Sequence, residues 1–353
     1  MPELKETKAQ RVERLKRAKN PWDHLDEIRA FARQGFDSIP PEWLGTYFRP
    51  CGIYTQGDGV GVIGGKNGEG KAVPYFMVRI RIPNGLLTSE QARTIADLSD
   101  HFGNGVADIT VRQNVQLHWI RVENLPELLE RLWSVGLRTT GACGDVTRNI
   151  TGCPLAGVHA HEIADVSPLA LALDKELAGN PDFYNLPRKF KITIAACPDW
   201  CSYPEINDIS FTAIRRPGSA GILPASVPTL NSSTSHQPAL SLPNGSLSPV
   251  TNHSIGFSLR IAGGLSTEPH LAVKLNAFIR WEQVLPVARA IAEVFRESEV
   301  LRQSRDRARM KFLFLQHGWT ADSFLAAIES KLGYKLDPAA PEQLPASIHR
   351  DHL

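Results

Sequence analysis

The sequence predicts an α+β protein with enough length for more than one buried core. Three observations carry that expectation. Residues 75–82, Tyr-Phe-Met-Val-Arg-Ile-Arg-Ile, alternate apolar and polar side chains with the period of a half-buried strand, and Pro83-Asn84-Gly85 ends the run. Thr88 and Gln91 then stand three apart, the capping-box spacing that opens a helix over residues 90–102. A second strand over 108–122 and a helix over 126–135, with Pro126 in its first turn, complete a compact strand, helix, strand, helix unit.

The flanking elements follow the same logic. Within residues 7–34, Leu15, Ala18, Leu25, Ile28 and Phe31 recur at helical spacing among charges, and Asn20-Pro21 splits the run into two short amphipathic helices. A glycine-rich loop spans 57–70. By letter, Gly59 to Gly64 satisfies the dinucleotide fingerprint, and Gly65 to Lys71 nearly completes a phosphate-binding loop. Both fail on context, because the loop runs into a strand and Ala72 stands where Ser or Thr is required.

Further along come an irregular stretch at 141–157, a helix near 169–177, and strands near 189–195 and 209–215. Residues 217–259 contain no Asp, Glu, Lys or Arg, and Pro, Ser, Asn and Thr dominate as far as His253. Such a segment cannot bury a core and is read as a disordered insertion over 217–253. Lying between the strands at 209–215 and 255–262, it decorates a hairpin and does not separate domains. Helices over 284–297 and 302–316 follow. The resulting divisions are 1–74, a helical arm and glycine-rich loop; 75–140; 141–300 with the insertion; and 301–353, a helical linker.

Composition narrows the function. The 353 residues are 42% hydrophobic and 22% charged, an ordinary globular balance, and the formal charge of +2 gives bulk nucleic-acid binding no support. Residues 1–20 are dense in Lys, Glu and Arg, which excludes a secretory signal, and no later run approaches membrane-spanning length, so a cytoplasmic setting without membrane partners is expected. Five cysteines, an odd number, argue for thiols or metal ligands over a disulfide framework.

Several residue groups carry chemistry. Arg79 and Arg81 project from one strand face and Val78, Ile80 and Ile82 from the other. Lys189 and Lys191 repeat this around Phe190. A solvated face is the commoner meaning of such a pattern, and an anion site the sharper alternative. Arg148 stands in a loop, where its charge is presented to a ligand or to water. Cys197 and Cys201 have the spacing of a partial cluster motif but offer two thiolates where a cubane needs four. Cys51, Cys143 and Cys153 are scattered, so buried thiols are the better reading. The histidines show no metal-ligand spacing, and His118 reads as a packed strand residue more readily than as an axial haem ligand. No metal site is therefore expected. The arginines of 302–309 read as a solvated helix face or a surface for an acidic partner.

Five blocks taken together resemble the ferredoxin-dependent nitrite and sulfite reductase family: residues 75–85; 107–116, Ala-Asp-Ile-Thr-Val-Arg-Gln-Asn-Val-Gln; 145–149, Asp-Val-Thr-Arg-Asn; 186–191, Leu-Pro-Arg-Lys-Phe-Lys; and 205–208, Glu-Ile-Asn-Asp. The resemblance covers roughly residues 53–353 outside the insertion, and the joint order of the blocks makes it specific. It implies a nitrite/sulfite reductase ferredoxin-like half domain at 75–140, then a mixed α/β sirohaem-binding domain. It also implies that Arg79, Arg148, Lys189 and Lys191 surround the oxyanion, while Thr110, Arg112, Gln116, Asn149 and Arg188 hold the macrocycle and its carboxylates.

The implied reaction is a six-electron reduction of sulfite to sulfide or nitrite to ammonia, with reduced ferredoxin as donor and sirohaem and a [4Fe-4S] cluster as cofactors. Guanidiniums suit the many carboxylates of sirohaem, and clustered cations attract and polarise an oxyanion. Lys191 favours sulfite, since relatives specialised for nitrite tend to carry Asn there. The family's cluster cysteines belong to its second half, so this chain is expected to be an N-terminal half, inactive alone. It would then be one subunit of a split reductase with a separate C-terminal half, or a non-catalytic remnant. A small iron–sulfur electron carrier using Cys197 and Cys201 is the third reading.

Overall fold

The computed structural model describes residues 6–57, 72–159, 162–216, 255–266 and 268–341. The expected glycine-rich loop, with its two phosphate-binding look-alikes, lies outside the described residues apart from Gly57, as does the expected insertion at 217–253.

Two four-stranded sheets organise the chain. The first has the order β1-β2-β4-β3, all antiparallel, from β1 (Ile53–Gly57), β2 (Ala72–Ile80), β3 (Ala107–Ile109) and β4 (Val115–Ile120). On β2, Phe76, Val78 and Ile80 are fully buried, and Arg79 faces the other way. That alternation lets one strand serve a core and a site at once. Packed on the core face are α2 (Leu25–Gln34), α3 (Ser89–Phe102) and α4 (Leu125–Ser134). The capping box of α3 is made in full: Gln91 N–H donates to Thr88 Oγ1 at 3.1 Å and Thr88 N–H to Gln91 Oε1 at 3.0 Å.

The single strand expected over 108–122 is instead the hairpin of β3 and β4. Its turn contains no glycine or proline, so the usual signal is missing. Gln113 takes the left-handed conformation at φ 56°, and its side chain is clamped to the backbone of Gly152, donating to the carbonyl at 3.2 Å and accepting from the N–H at 3.1 Å. Further along β4, His118 and Trp119 oppose one residue of β2, a bulge that returns Ile120 to the core. His118 faces outward, 2.9 Å from Asp108.

The second sheet has the order β5-β6-β7-β8: β5 (Ile192–Ala195) parallel to β6 (Ile209–Arg215), then β7 (Ile255–Ile261) and β8 (Val273–Arg280) antiparallel. β6 and β7 pair from Ile209↔Ile261 to Arg215↔Ile255, so the residues between them join neighbouring strands of one sheet. β5 to β7 are buried on both faces and read as near-continuous apolar runs. α5 (Ser167–Leu173), α6 (Val284–Arg296), α7 (Lys311–Gln316) and α8 (Ala321–Leu332) cover this core. The helix expected over 302–316 is shorter: a 3-10 turn at Glu299–Gln303 and α7 are separated by an irregular stretch.

The two cores meet along residues 138–152. Arg81 N–H donates to the carbonyl of Arg138 at 2.8 Å, and Arg148 N–H to that of Phe190 at 2.8 Å, so this segment is stitched to β2 on one side and to the approach of β5 on the other. The arm helix α1 (Lys8–Ala18) crosses the same seam. No helix among the described residues is long and apolar enough to cross a membrane.

Candidate functional site

A cleft of about 700 Å³ opens where the two cores and α1 meet. Nine Lys and Arg side chains against three acidic ones line it, among them Arg79, Arg148, Arg188 and Lys189. Each arrives from a different local cause. Arg79 comes from the outer face of β2, opposite its cross-strand partner Gln116, whose Oε1 accepts from Nε at 2.9 Å and Nη2 at 2.6 Å. The Tyr54 ring lies beneath the guanidinium, 5.2 Å from its carbon. Arg148 is held by the carbonyl of Gly144, which accepts from Nε at 3.1 Å and Nη2 at 2.9 Å. Lys189 and Lys191 flank the buried Phe190 and share the opposite side of the chain.

The electrostatics follow from crowding like charges in a half-buried place. Burial and the neighbouring Arg148 lower Arg79 to about 10. Burial, helped by Arg309, Arg148 and Arg188, brings the Lys189 ammonium down to about 8. For Lys191, burial with Arg112, Arg309 and Lys189 outweighs the opposing Asp208 and brings it to about 7. Among the described residues neither ammonium lies within ion-pair distance of a carboxylate. Two lysines poised near neutrality beside an arginine-lined cleft are equipped to attract an anion and to give up a proton to it.

Several expected site residues are used within the protein. Arg112, at the β3–β4 turn, reaches into the second unit, donating to Asn207 Oδ1 at 2.8 Å and to the carbonyls of Asn149 at 2.6 Å and Ile192 at 3.2 Å. Asn149 is fully buried and donates to the carbonyls of Ile82 and Arg112, each at 2.8 Å. Thr110 Oγ1 accepts from Asn114 N–H at 3.1 Å and shapes the turn. Arg112 and Asn149 therefore tie the β3–β4 turn to the second unit outside the cleft lining, Thr110 shapes that turn, and Gln116 aims Arg79.

The solvated helix face expected at 302–309 is overturned. Arg302 is buried with Glu13 (2.7 Å) and Asn185, Arg305 pairs with Asp145 at 2.6 Å, and Arg309 makes a bidentate contact with the fully buried Asp208 at 2.9 and 3.1 Å. Asp208 also accepts the backbone N–H of Lys191 at 2.8 Å, tying that lysine's position to Arg309. Asp145 lies 3.3 Å from Lys16 and 3.4 Å from Arg188. Burial pushes its carboxyl up, but Lys16, Arg305 and Arg188 prevail and hold it at about 2. Likewise Arg81, expected beside Arg79, is buried against Asp174 at 2.8 Å. Asp145, Asp208, Arg305 and Arg309 were not singled out as site residues. The signal for the two arginines is the density of arginine directly before Met310-Lys311-Phe312-Leu313, whose Met310, Phe312 and Leu313 enter the core.

The fold and the cleft define a mixed α/β protein with a cation-lined groove between two units. Comparison with known proteins makes the class specific. The family described as "Nitrite and sulphite reductase 4Fe-4S domain" matches residues 143–336, and "Nitrite/Sulfite reductase ferredoxin-like half domain" matches 69–135. The chain belongs to the nitrite and sulphite reductase family. It is 36% identical over 348 residues to a sulfite reductase [ferredoxin] of Mycobacterium tuberculosis, covering 97% of this chain and 55% of that protein. With a ferredoxin–nitrite reductase of Leptolyngbya laminosa it shares 32% identity, over 99% of this chain and 59% of the relative. The solved structure of the Mycobacterium tuberculosis NirA protein superposes with a TM-score of 0.79 at 35% identity, over 97% of this chain and 56% of that one. The chain thus spans a little over half the length of the relatives it matches.

Proposed function

We propose that this chain supplies the oxyanion-binding part of a cytoplasmic, ferredoxin-dependent sirohaem reductase, with sulfite as the favoured substrate and nitrite as the second. One observation carries the reading: in a member of this family, Arg79, Arg148 and Lys189 converge on one cleft, and Lys191, outside its lining, stands next to Lys189 across Phe190. Sulfite gains its second negative charge close to neutral pH whereas nitrite stays monoanionic, so each added cation favours the former.

The described residues fit sirohaem. The excess of cations over acids along the cleft suits a polycarboxylate, and Arg148 and Arg188 have planar forks able to hold carboxylates. Sirohaem with its cluster would supply the redox-active iron through which electrons from reduced ferredoxin reach the substrate. The protein's share of the chemistry is electrostatic and protonic. Arg79, fixed by Gln116 and Tyr54, and Arg148, fixed by Gly144, hold positive charge against the substrate oxygens without reorganising. Lys189 and Lys191, depressed towards neutrality, release protons to departing oxygens and recover them from water.

The described cysteines do not assemble a four-thiolate set at the cleft; of the five, only Cys143 lines it. Ligands for a [4Fe-4S] cluster are therefore sought in a companion second half, and the 353 residues by themselves are proposed to be inactive. The test is to load the purified chain with sirohaem and supply reduced ferredoxin, with and without a separately expressed C-terminal half from a relative. Sirohaem binding lost in an Arg148→Ala, Arg188→Ala double variant, with sulfide formed only on mixing, supports the proposal. No retention of sirohaem, or turnover by the chain alone, sinks it.

A further inference from the structure

We propose a second site: Cys197, His159 and Asp199 bind one thiophilic divalent transition ion of the zinc class, away from the cleft. The Cys197 sulfur, a His159 ring nitrogen and an Asp199 carboxylate oxygen all lie within 4.8 Å of one another. His159 Nε2 is 3.2 Å from Asp199 Oδ2, the carboxylate side chain is only 1% exposed and the imidazole 15%. None of the three lines the cleft.

The fold brings them together from two loops. Cys197 and Asp199 sit directly after β5, and His159 ends a turn whose start, Cys153, packs into the same core. The two loops are tied by Ile163 N–H donating to the carbonyl of Ala196 at 2.9 Å. In a tetrahedral zinc site the ligand atoms stand about 3.3–3.8 Å apart, so small side-chain rotations close this cluster onto one ion. The donor set selects the metal. A thiolate with an imidazole disfavours calcium and magnesium, which take oxygen ligands, and favours zinc and its neighbours. Three donor atoms converging on one point suit a single ion; a cubane would spread its ligands over several corners.

The three-atom cluster leaves the fourth position of a tetrahedral ion to solvent. A divalent ion would set positive charge against the buried carboxylate and pin the loop that follows β5, the strand whose approach carries Lys189 and Lys191.

The test uses the full chain and two probes, Zn²⁺ and Co²⁺. The expected result is one equivalent of zinc per chain, and with Co²⁺ an intense ligand-field spectrum of tetrahedral type with a thiolate-to-metal charge-transfer band. Cys197→Ser should abolish that band, and Asp199→Asn should keep the band while weakening zinc by about tenfold or more. If Cys197→Ser does not fold, His159→Gln, at a side chain that still reaches solvent, decides by the same zinc affinity and by loss of the zinc-induced rise in melting temperature. Substoichiometric zinc on folded protein overturns the proposal. So do zinc binding unchanged in the folded variants, a disulfide consuming Cys197, and iron with acid-labile sulfide at these residues.

Discussion

Two groups of buried charge lie side by side at the seam of the molecule and behave oppositely. Around Asp145, the cations Lys16, Arg188 and Arg305 meet a carboxylate that they hold at about 2, and Arg302 with Glu13 closes the network. Around the cleft, burial drives Arg79, Lys189 and Lys191 towards neutrality, helped by Arg148 at Arg79, by Arg309 and Arg148 at Lys189, and by Arg112, Arg309 and Lys189 at Lys191, where Asp208 offers only partial relief. A balanced cluster fastens α1 to the rest of the chain. An unbalanced one suits the anion proposed above. The two groups share cationic residue types and differ in charge balance and in depth, the cleft cations being only partly buried.

The largest effect expected from breaking this contrast is on stability. Asp145→Asn takes from Lys16, Arg188 and Arg305 the carboxylate they share, leaving Glu13 alone to face Lys16 and Arg305, and should cost about 3–5 kcal/mol in urea unfolding, whereas Lys191→Met should be neutral or stabilising. The pH dependence checks the same claim. A carboxyl near 3.8 when unfolded and about 2 when folded contributes stability that is complete above about pH 4 and is lost as pH falls through about 2. The shift corresponds to roughly 2 kcal/mol. Asp145→Asn should flatten that acid limb, and an unchanged limb would refute the role of the network.

The next effect is on anion selectivity. In the reconstituted enzyme, Lys191→Asn should move the ratio of kcat/KM values towards nitrite by roughly tenfold, about 1.4 kcal/mol of differential binding. In the unsubstituted protein sulfite affinity should fall as pH rises through about 7 to 8, because the lysines lose the protons that the anion stabilises. A ratio moving towards sulfite, or affinity flat across that window, would mean that the lysines do not face the substrate. The smallest effect concerns aim. Gln116→Ala removes the acceptor that orients Arg79 and should weaken sulfite binding by about 1 kcal/mol with little change in melting temperature.

Much of the fold was legible. β2, α3, β6 and β7 were placed within a few residues, because alternation, a capping box and unbroken apolar runs are local signals. β8 and α8 were passed over, although Val-Lys-Leu-Asn-Ala alternates through the start of β8 and Thr320 and Ser323 cap α8 reciprocally. The β3–β4 turn was hidden for a better reason. Gln113 is held in a left-handed conformation by Gly152, a contact made only when the two units meet. The site divides in the same way. Cationic residue types at Arg79, Arg148, Lys189 and Lys191 could be read along the chain. Which cations are neutralised depends on Asp145 and Asp208 meeting Arg305 and Arg309 from over a hundred residues away, and no local pattern encodes that.

The β6–β7 pairing has a consequence for how this protein tolerates change. The two strands stay in register to Arg215↔Ile255, and 39 residues of sequence, 216–254, separate those paired ends. Holding such a length between paired ends, in place of a tight turn, costs only on the order of 2 kcal/mol, since loop-closure entropy grows with the logarithm of length. The hairpin end is thus a socket for foreign sequence. It is a place where evolution, or an engineer grafting a reporter, can add chain without the sheet having to yield.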